Sequence, residues 1–408
     1  MNITIHPSTL SGTIRAISSK SMAHRLMILN ALSETAGDLV CTTSSQDLLA
    51  TQGCLESLAN GTEPIVLDCG ESGSTLRFLL PVIGALGKEA RIIRRGRLSK
   101  RPLAPFDDQL RAHGMSIEEE GADLTVKGTL HGGRFTLPGD ISSQYISGIL
   151  LAAPILDSTT ELFVSSPVQS RPYIDLTVSA LSTFGVTVAM DHVGMSTATC
   201  ERFALNPAPL RAPSHIEVEG DWSNAAFWLA AGAMEDDGIV VDGLDLGSLQ
   251  GDRAILGALA AFGARIARKD RAARATRDHY RASSLDVGAV PDLVPPLAAV
   301  AVLAPGTSRL HNAGRLRLKE SDRLAAISAV IETLGGNARV EGDDLVIQGV
   351  DHLEGGIVDA ANDHRIAMMA AIMATHATGP VTIHGAECVA KSYPDFWNDY
   401  RYLGGNAT

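Results

Sequence analysis

The stretch Lys319-Glu320-Ser321-Asp322-Arg323 places two cations and two carboxylates within five residues. Arginine presents a planar fork that fits carboxylate and phosphate oxygens, whereas lysine offers a mobile point charge. Basic and polar residues cluster in the same way elsewhere along the chain, at residues 19–25, 73–77, 100–102, 142–144, 170–173, 363–365 and 391–394. Solvent-exposed ion pairs explain any one cluster equally well, but the whole set indicates a small, highly anionic ligand.

The composition favours a two-domain α/β protein that binds small molecules rather than nucleic acid. The chain has 408 residues, too many for one ordinary core, and 45% of them are hydrophobic but only 4% aromatic. Its formal net charge is −12, whereas a nucleic-acid surface normally makes its domain basic. The long charged run at residues 268–281 contains a single aromatic residue, so we interpret it as a solvated hairpin or helix face.

Cysteine usage and hydropathy give no sign of disulfides, bound metal or a membrane segment. The five cysteines are odd in number and lack CxxC or Cys/His ligand spacing. The N-terminus has no charged leader before a long apolar run, and no run of about 18 uncharged apolar residues occurs. We therefore expect a cytoplasmic chain with no metal, no cofactor and no membrane contact.

Short apolar strands alternate with amphipathic helices, and glycine turns separate them, which predicts an α/β class. Most of the predicted helices open with Ser or Asp, whose side-chain oxygen accepts an orphan N–H of the first turn. The predicted helices are 21–32, 74–86, 143–153, 175–184, 223–233, 252–262, 322–334, 363–375 and 394–403.

An internal repeat is suggested by four glycines, each of which follows a predicted helix and precedes a predicted strand. These are Gly114, Gly185, Gly263 and Gly335, with strands expected at residues 115–117, 186–188, 264–266 and 337–340. The spacing of roughly 75 residues favours a duplicated supersecondary unit, although ordinary α/β turns leave the same trace.

Phosphate must be bound without the common nucleotide motifs. The chain has no GxxxxGK[ST] loop and no GxGxxG after a predicted strand. Helix N-termini supply free N–H groups and a positive dipole end, so the helices that open at Ser21, Ser74 and Ser143 are candidates to face an anion.

Nine elements, in this order and over essentially the full length, resemble the 5-enolpyruvylshikimate-3-phosphate synthase family, also called 3-phosphoshikimate 1-carboxyvinyltransferase. The elements are residues 19–25, 71–77, 101–102, 142–144, 170–173, 291–292, 319–323, 363–365 and Lys391. The resemblance implies a two-domain inside-out α/β barrel in which each domain has three βαβαββ units. It implies one domain at 19–219, inserted into a second domain of residues 1–18 plus 220–408, with the active site in the cleft between them.

The resemblance also implies a transferase of the shikimate pathway, which leads to chorismate and the aromatic amino acids. Its reaction moves the enolpyruvyl group of phosphoenolpyruvate to the 5-hydroxyl of shikimate 3-phosphate and releases phosphate. Each substrate carries a phosphate and a carboxylate, so several cations are needed to offset their repulsion without a metal. The expected partners are these two small molecules, and a monomer is expected.

Carried over position by position, the family implies two overlapping sets of binding residues. For shikimate 3-phosphate they are Lys20, Ser21, Arg25, Ser142, Ser143, Gln144, Ser170, Asp292 and Lys319. For phosphoenolpyruvate they are Lys20, Gly73, Arg101, Gln144, Arg323, Arg365 and Lys391.

Four of these residues and neighbours are implied to be catalytic. Asp292 would take the hydroxyl proton, Glu320 would work at C3, and Lys391 would protonate the departing phosphate or share the acid role, with Lys20 between the substrates. Taken alone, Asp292 is equally a turn residue after Pro291, and Glu320 an ordinary helical partner of Arg323.

Three positions bear on ligand selectivity. The missing side chain of Gly73 would let phosphoenolpyruvate approach closely, and the resemblance implies sensitivity to glyphosate. Many family members have Asn at the positions of Glu71 and Arg315. Glu71 would pair with Arg77 or Arg101 and weaken anion binding, whereas Arg315 would add a cation near the shikimate phosphate or turn to solvent.

Two alternatives remain at this stage. A related enolpyruvyl transferase acts on UDP-N-acetylglucosamine and typically uses a loop cysteine, but residues 91–105 contain none. A non-catalytic anion-binding relative would not need both Asp292 and Glu320 beside the cations.

Overall fold

The computed structural model describes residues 1–62, 64–195 and 198–408 of the chain. The chain divides into two compact units. The first, residues 1–19 with 219–408, is called the split unit, and the second, residues 20–218, is called the inserted unit.

Both units contain α-helices and short 3₁₀ helices. The α-helices of the described residues are α1 (Lys20–Leu32), α2 (Gln46–Asn60), α3 (Gly73–Ala85), α4 (Phe106–Ala112), α5 (Ser143–Ala152), α6 (Arg171–Thr183), α7 (Trp222–Met234), α8 (Ile255–Ala261), α9 (Val294–Ala301), α10 (Arg323–Thr333), α11 (His364–Ala374) and α12 (Phe396–Tyr402). Short 3₁₀ helices lie at Gly96–Lys100, Ala153–Ile155, Gly251–Ala254, Pro291–Leu293, Gly314–Leu318 and Ala386–Lys391.

The strands are short. They are β1 (Asn2–His6), β2 (Gly12–Arg15), β3 (Asp38–Val40), β4 (Ile65–Asp68), β5 (Ala90–Ile93), β6 (Met115–Glu120), β7 (Asp123–Gly128), β8 (Gly133–Pro138), β9 (Thr160–Ser165), β10 (Ala189–Met195), β11 (Ala198–Leu205), β12 (His215–Glu217), β13 (Ile239–Asp242), β14 (Arg265–Lys269), β15 (Ala272–Thr276), β16 (Ser284–Asp286), β17 (Thr307–His311), β18 (Asn337–Glu341), β19 (Asp344–Gln348), β20 (Gly356–Asp359), β21 (Val381–His384) and β22 (Asn406–Ala407).

The inserted unit repeats one sheet topology. One sheet has the order β4-β5-β7-β6, in which β4 and β5 are parallel and β7 is antiparallel to both of its neighbours. A second sheet, β10-β11-β9-β8, repeats this pattern with β8 and β9 parallel. Each sheet is built from a βαβαββ run of the chain. A third sheet is smaller and pairs only β12 with β3 in the described residues.

The split unit contains the same pattern in three four-stranded sheets, β14-β15-β13-β2, β16-β17-β19-β18 and β20-β21-β1-β22. In each, a parallel pair is extended by antiparallel strands. The internal repeat predicted from the glycine turns is therefore confirmed. The fold is mixed α/β, as expected.

The interior of the split unit is formed by α7, α9 and α11, which pack against one another and bury every one of their residues. In the inserted unit, α3 and α5 are buried almost as completely, and α1 packs on both. A helix that is apolar on all faces belongs in an interior, so each unit has helices inside and sheets around them.

Two helix starts have the capping residue that was predicted to open them. The side chains of Asp322 and Asp363 accept N–H groups in the first turns of α10 and α11. The caps of α3 and α5 are Ser72 and Ser142, which precede the predicted openers Ser74 and Ser143 by two residues and one residue. Gly114, Gly185, Gly263 and Gly335 all have the positive φ that the helix–glycine–strand pattern requires. The charged run at 268–281 forms the β14–β15 hairpin and its continuation, as one interpretation held.

Some local predictions were wrong. No strand forms at residues 186–188, and β10 begins only at Ala189. The sequence reading also missed α2, α4 and α9. In α9 the consecutive residues Pro295 and Pro296 suggest a break, but both lie in the first turn, where the missing N–H groups need no helical partner.

The close packing of α5 on α3 predicts that Gly148→Ala is destabilising. A Cβ at Gly148 would lie 2.3 Å from the carbonyl oxygen of Arg77, so backbone would have to move. We expect the free energy of unfolding in urea to fall by about 1–3 kcal/mol, despite the better helix propensity of alanine. Gly53→Ala in α2 is the matched control, since its Cβ would meet nothing within 4 Å. Its free energy of unfolding should rise by up to about 1 kcal/mol, because alanine has the better helix propensity. Equal stability of the two variants would contradict this packing.

Candidate active site

In the split unit, the carboxylate of Asp292 is shared by three cations. Its Oδ1 accepts a hydrogen bond from Arg323 Nη1 at 2.8 Å and lies 3.3 Å from Lys319 Nζ. Its Oδ2 accepts from Arg365 Nη2 at 3.2 Å. Burial alone would raise the pKa of Asp292, but Arg365, Lys319 and Arg323 together hold it well below its usual range. Asp292 is therefore an ionised acceptor in the ligand-free protein.

Arg323 is enclosed by carboxylates on its other sides and is 1% exposed. Its Nη2 donates to Glu320 Oε2 at 2.6 Å, and its Nε donates to Asp363 Oδ2 at 2.7 Å. Burial works against the charged form, yet Asp363, Glu320 and Asp292 raise the pKa of Arg323 above its ordinary value. The guanidinium is thus fixed in position by three acidic side chains, and Ser321 Oγ completes the set by donating to Asp363 at 3.0 Å.

Two helix ends bring these groups together. Asp322 caps α10, so Arg323 is its first residue. Asp363 caps α11 through a 3.0 Å bond from the Arg365 backbone N–H, which leaves the Arg365 side chain beside Asp292. The carboxylate of Asp363 therefore serves both as a helix cap and as a partner of Arg323.

Lys391 lies close to the same helix start. It ends the 3₁₀ helix Ala386–Lys391, is buried, and donates from Nζ to the carbonyl oxygen of Asn362 at 2.8 Å. Asn362 and Ala361 both have positive φ, near +53° and +52°. This uncommon backbone turns the Asn362 carbonyl toward the lysine, just before the cap of α11.

Burial also affects Lys319. It lowers the pKa of the ammonium group, and the nearby carboxylate of Asp292 acts in the opposite direction. The predicted residues Asp292, Lys319, Glu320, Arg323 and Arg365 thus form one connected cluster. The simpler interpretation of Glu320 as a partner of Arg323 is correct about the contact, but Glu320 precedes α10 and is not itself helical.

In the inserted unit, Arg25 is a buried cation with neutral partners. Its Nε donates to Thr177 Oγ1 at 2.8 Å, and its Nη2 donates to the Tyr173 carbonyl at 2.8 Å and to Ser147 Oγ at 3.3 Å. Among the described residues, no carboxylate forms an ion pair with it. Burial lowers the pKa of Arg25 to about 9, because nothing on the protein offsets the cost of desolvating the charge fully. An anionic ligand would offset it.

Lys20 is the first residue of α1 and pairs with the first turn of α2. Its Nζ donates to Asp47 Oδ2 at 2.7 Å, and both side chains are mostly buried. Asp47 was missed by the sequence reading, although it follows the helix cap Ser45 and stands in the first turn of a helix, where acidic residues are favoured.

Two guanidinium groups converge on Gly73 at the start of α3. A Cβ at this glycine would lie 2.5 Å from Arg101 Nη1 and 2.8 Å from Arg77 Nη1. Arg77 is held by Gln144 Oε1 at 2.8 Å and by the Pro102 carbonyl at 3.3 Å. Two like charges beside a helix N-terminus and a bare Cα form a strong candidate anion site.

Gln144 joins the starts of α3 and α5. Its Nε2 donates to Ser74 Oγ at 2.9 Å, while its Oε1 accepts from Arg77. Ser142 caps α5 by accepting from the Gln144 backbone N–H at 3.3 Å. The predicted Ser-Ser-Gln element therefore lies next to the arginine pair, with the N–H groups of a buried helix behind it.

The structure also places three other positions that the sequence analysis named, Ser170, Glu71 and Arg315. Ser170 is buried in a left-handed conformation, with φ of +54°, immediately before α6. A Cβ at Gly96 would lie 2.5 Å from the Glu71 Cδ, so Glu71 directs its carboxylate at the backbone of the Gly96–Lys100 helix. Arg315 lies in the 3₁₀ helix Gly314–Leu318 and acts electrostatically on Lys319.

The functional residues that sequence reasoning missed are mostly neutral or acidic supports. Thr177 and Ser147 hold Arg25 together with Tyr173, which lies in the predicted element 170–173, and Asp47 holds Lys20. No motif marks Thr177, Ser147 or Asp47, because each makes its contact far along the chain. Among the described residues, we find no group of three His, Cys, Asp or Glu that could hold a metal, and no helix long and apolar enough to cross a membrane.

Comparison with known proteins gives one consistent family. The family model described as EPSP synthase (3-phosphoshikimate 1-carboxyvinyltransferase) matches residues 43–400. A relative in Clostridium kluyveri named 3-phosphoshikimate 1-carboxyvinyltransferase is 36% identical, covering 99% of this chain and 97% of its own length. Relatives with the same name in Clostridium perfringens and Clostridium acetobutylicum are each 37% identical, with 99% of this chain covered and 98% and 97% of theirs.

The fold is similar to that of a solved protein with the same family name. A solved structure of EPSP synthase from Acinetobacter baumannii superposes with a TM-score of 0.78 at 23% identity, and 100% of this chain and 99% of that chain are covered.

Proposed function

The chain belongs to the EPSP synthase (3-phosphoshikimate 1-carboxyvinyltransferase) family, and from that premise we propose that it transfers the enolpyruvyl group of phosphoenolpyruvate to the 5-hydroxyl of shikimate 3-phosphate and releases phosphate. It would act in the shikimate pathway, which leads to chorismate and the aromatic amino acids. A cytoplasmic location and a monomeric state stay predictions.

One observation of the structure supports this proposal most directly. Asp292 is an ionised carboxylate that contacts Lys319, Arg323 and Arg365 at once. A base surrounded by cations is what a reaction between a hydroxyl group and two anionic substrates requires, since the cations can bind the anions while the base accepts a proton.

We assign the substrates to residues of both units. Shikimate 3-phosphate would contact Lys20, Ser21, Arg25, Ser142, Ser143, Gln144, Ser170, Asp292 and Lys319. Phosphoenolpyruvate would contact Lys20, Gly73, Arg101, Gln144, Arg323, Arg365 and Lys391. Arg25 supports the first assignment, because its charge lacks a described carboxylate partner, and the arginine pair at Gly73 supports the second.

The chemistry follows as two steps. In the addition, Asp292 accepts the proton of the 5-hydroxyl, the oxygen bonds to C2 of phosphoenolpyruvate as the C2=C3 double bond opens, and C3 gains a proton from Glu320. In the elimination, Glu320 removes a proton from C3, the C2–O bond to phosphate breaks, and Lys391 protonates the departing phosphate. Lys20 stabilises the charge between the two substrates.

The basicity of Asp292 would depend on substrate. Three cations depress the pKa of Asp292, so in this arrangement it is a weak base. An anion that takes over Arg323 and Arg365 would weaken their hold on Asp292, and its pKa would rise toward the ordinary range. The base would therefore become effective only when phosphoenolpyruvate is bound.

Phosphate release from phosphoenolpyruvate tests the proposal. We expect release that requires shikimate 3-phosphate and does not occur when UDP-N-acetylglucosamine is the only acceptor. Release with the sugar nucleotide alone would assign the chain to the related transferase instead. If no phosphate is released with either acceptor, although the folded protein binds phosphoenolpyruvate and shikimate 3-phosphate, catalysis has been lost.

Asp292→Asn and Glu320→Gln should each lower kcat by about a hundredfold or more, because each removes a group that moves a proton. Substrate binding, measured by calorimetry, should be retained, because the amide side chain of either variant has nearly the same size and keeps an oxygen that accepts hydrogen bonds from the neighbouring cations. Asp286→Asn removes an exposed carboxylate of the same unit and is the control. Turnover near the wild-type rate in either active-site variant would exclude the assigned role.

Gly73→Ala should weaken phosphoenolpyruvate and glyphosate binding, because the new Cβ must displace the Arg101 and Arg77 guanidinium groups. We expect the wild type to be inhibited by glyphosate well below concentrations on the order of millimolar, and the variant to raise the inhibition constant by about tenfold or more. Gly53→Ala, whose Cβ meets nothing within 4 Å, should leave it unchanged. Wild-type inhibition only at millimolar glyphosate would refute the predicted sensitivity.

A further inference from the structure

A buried chain of hydrogen bonds runs behind the Lys20 and Gly73 positions of the inserted unit. His24 Nδ1 lies 2.7 Å from Thr51 Oγ1, which lies 2.7 Å from Thr75 Oγ1. Thr75 Oγ1 in turn donates to Ser72 Oγ at 2.7 Å and toward the Asp47 carbonyl at 3.3 Å. Each of the three linking side chains is at most 1% exposed.

The direction of the protons along this chain follows from its fixed acceptor. The Asp47 carbonyl can only accept, and each hydroxyl has one proton to donate. The one proton of Thr75 is shared between two acceptors, the Ser72 hydroxyl and the Asp47 carbonyl. Thr75 has no second proton for Thr51, so Thr51 donates to Thr75, and the Nδ1–H of a neutral His24 donates to Thr51. Burial, Lys20 and Arg25 all lower the pKa of His24, which keeps the imidazole neutral at pH 7.

The two acceptors of Thr75, Asp47 and Ser72, each lie at a helix start and next to an assigned substrate-binding residue, Lys20 or Gly73. The Asp47 carbonyl belongs to the same residue whose carboxylate holds Lys20, at the start of α2. Ser72 caps α3 by accepting from the Thr75 backbone N–H at 3.2 Å, so it fixes the turn at which Gly73 begins the helix. The starts of α1, α2 and α3 are thus joined by side chains that do not themselves face the ligand.

We propose that His24, Thr51 and Thr75 are positioning residues for phosphoenolpyruvate, which keep the Lys20–Asp47 pair and the Gly73 end of α3 in a fixed relation. This assignment rests on the proposed function. The residues act through their neighbours, so breaking the chain misplaces the anion site without removing any group that contacts substrate.

The other substrate depends on a separate set of supports. Arg25, assigned to shikimate 3-phosphate, is held by Thr177, which donates to Ser147 Oγ at 2.7 Å. No described hydrogen bond joins this pair to Thr51 or Thr75. The two threonine networks of the inserted unit therefore predict opposite selectivity when each is broken.

The test replaces single buried hydroxyl groups by methyl groups of similar size. Thr51→Val separates His24 from Thr75, and Thr75→Val removes the bonds to Ser72 and Asp47. Each should raise the KM for phosphoenolpyruvate about tenfold, the effect of one lost hydrogen bond, while kcat and the KM for shikimate 3-phosphate change less than about twofold. Thr51→Ser and Thr75→Ser keep the hydroxyl and should restore the wild-type KM.

Two further variants serve as controls. Thr160 is fully buried in β9, and its hydroxyl has no hydrogen-bond partner among the described residues, so Thr160→Val should leave both KM values unchanged. Thr177→Val should instead raise the KM for shikimate 3-phosphate. Urea unfolding of every variant separates a loss of stability from a change in KM.

The outcomes are distinct. A rise in the phosphoenolpyruvate KM that the serine variants reverse supports the assignment. Unchanged KM values with lowered stability, or equal rises in KM for both substrates, would show that the hydrogen-bonded residues His24, Thr51 and Thr75 are merely structural. Either result would overturn this assignment, even though the proposed function stands. A wild-type protein without turnover on these substrates would refute the proposed function, and this assignment with it.

Discussion

The carboxylate of Asp292 is the interaction on which the split unit's cluster depends. It forms ion pairs with Lys319, Arg323 and Arg365 in a setting where burial alone would favour its own protonation. Arg323 is fully enclosed, so each of its acidic partners is needed to keep its charge inside the protein. Removing one partner of a buried ion pair typically costs about 3–5 kcal/mol of stability. The charged side chains at the starts of α10 and α11 therefore stabilise one another as a group.

The inserted unit handles its cations differently. Arg25 has neutral hydroxyl and carbonyl partners, and the Arg77 and Arg101 side chains converge on Gly73, where a helix begins. Among the described residues, no carboxylate forms an ion pair with Arg25, in contrast to Arg323. Helix N-termini add positive potential near these arginines. The inserted unit therefore places cations beside helix starts, whereas the split unit pairs its cations with ionised carboxylates.

The extent to which local sequence predicts structure can be judged at particular elements. Asp322 and Asp363 were expected to open helices, and they do, because capping depends on a side chain and an N–H only two or three residues away. The prediction of a strand at residues 186–188 was wrong, since β10 begins only at Ala189. Strand formation needs a partner that lies far along the chain, and alternating residue types do not specify it.

The residue types and their order are enough to predict the family, the anionic substrates and the residues proposed to bind them. The partners of those residues depend on the tertiary structure. Asp47 meets Lys20, Asp363 meets Arg323, and Thr75 meets Thr51 across separations of 24 to 40 residues. Such contacts follow from the packing of whole helices, and because packing is set by the complete apolar surface of each unit, no local pattern encodes them.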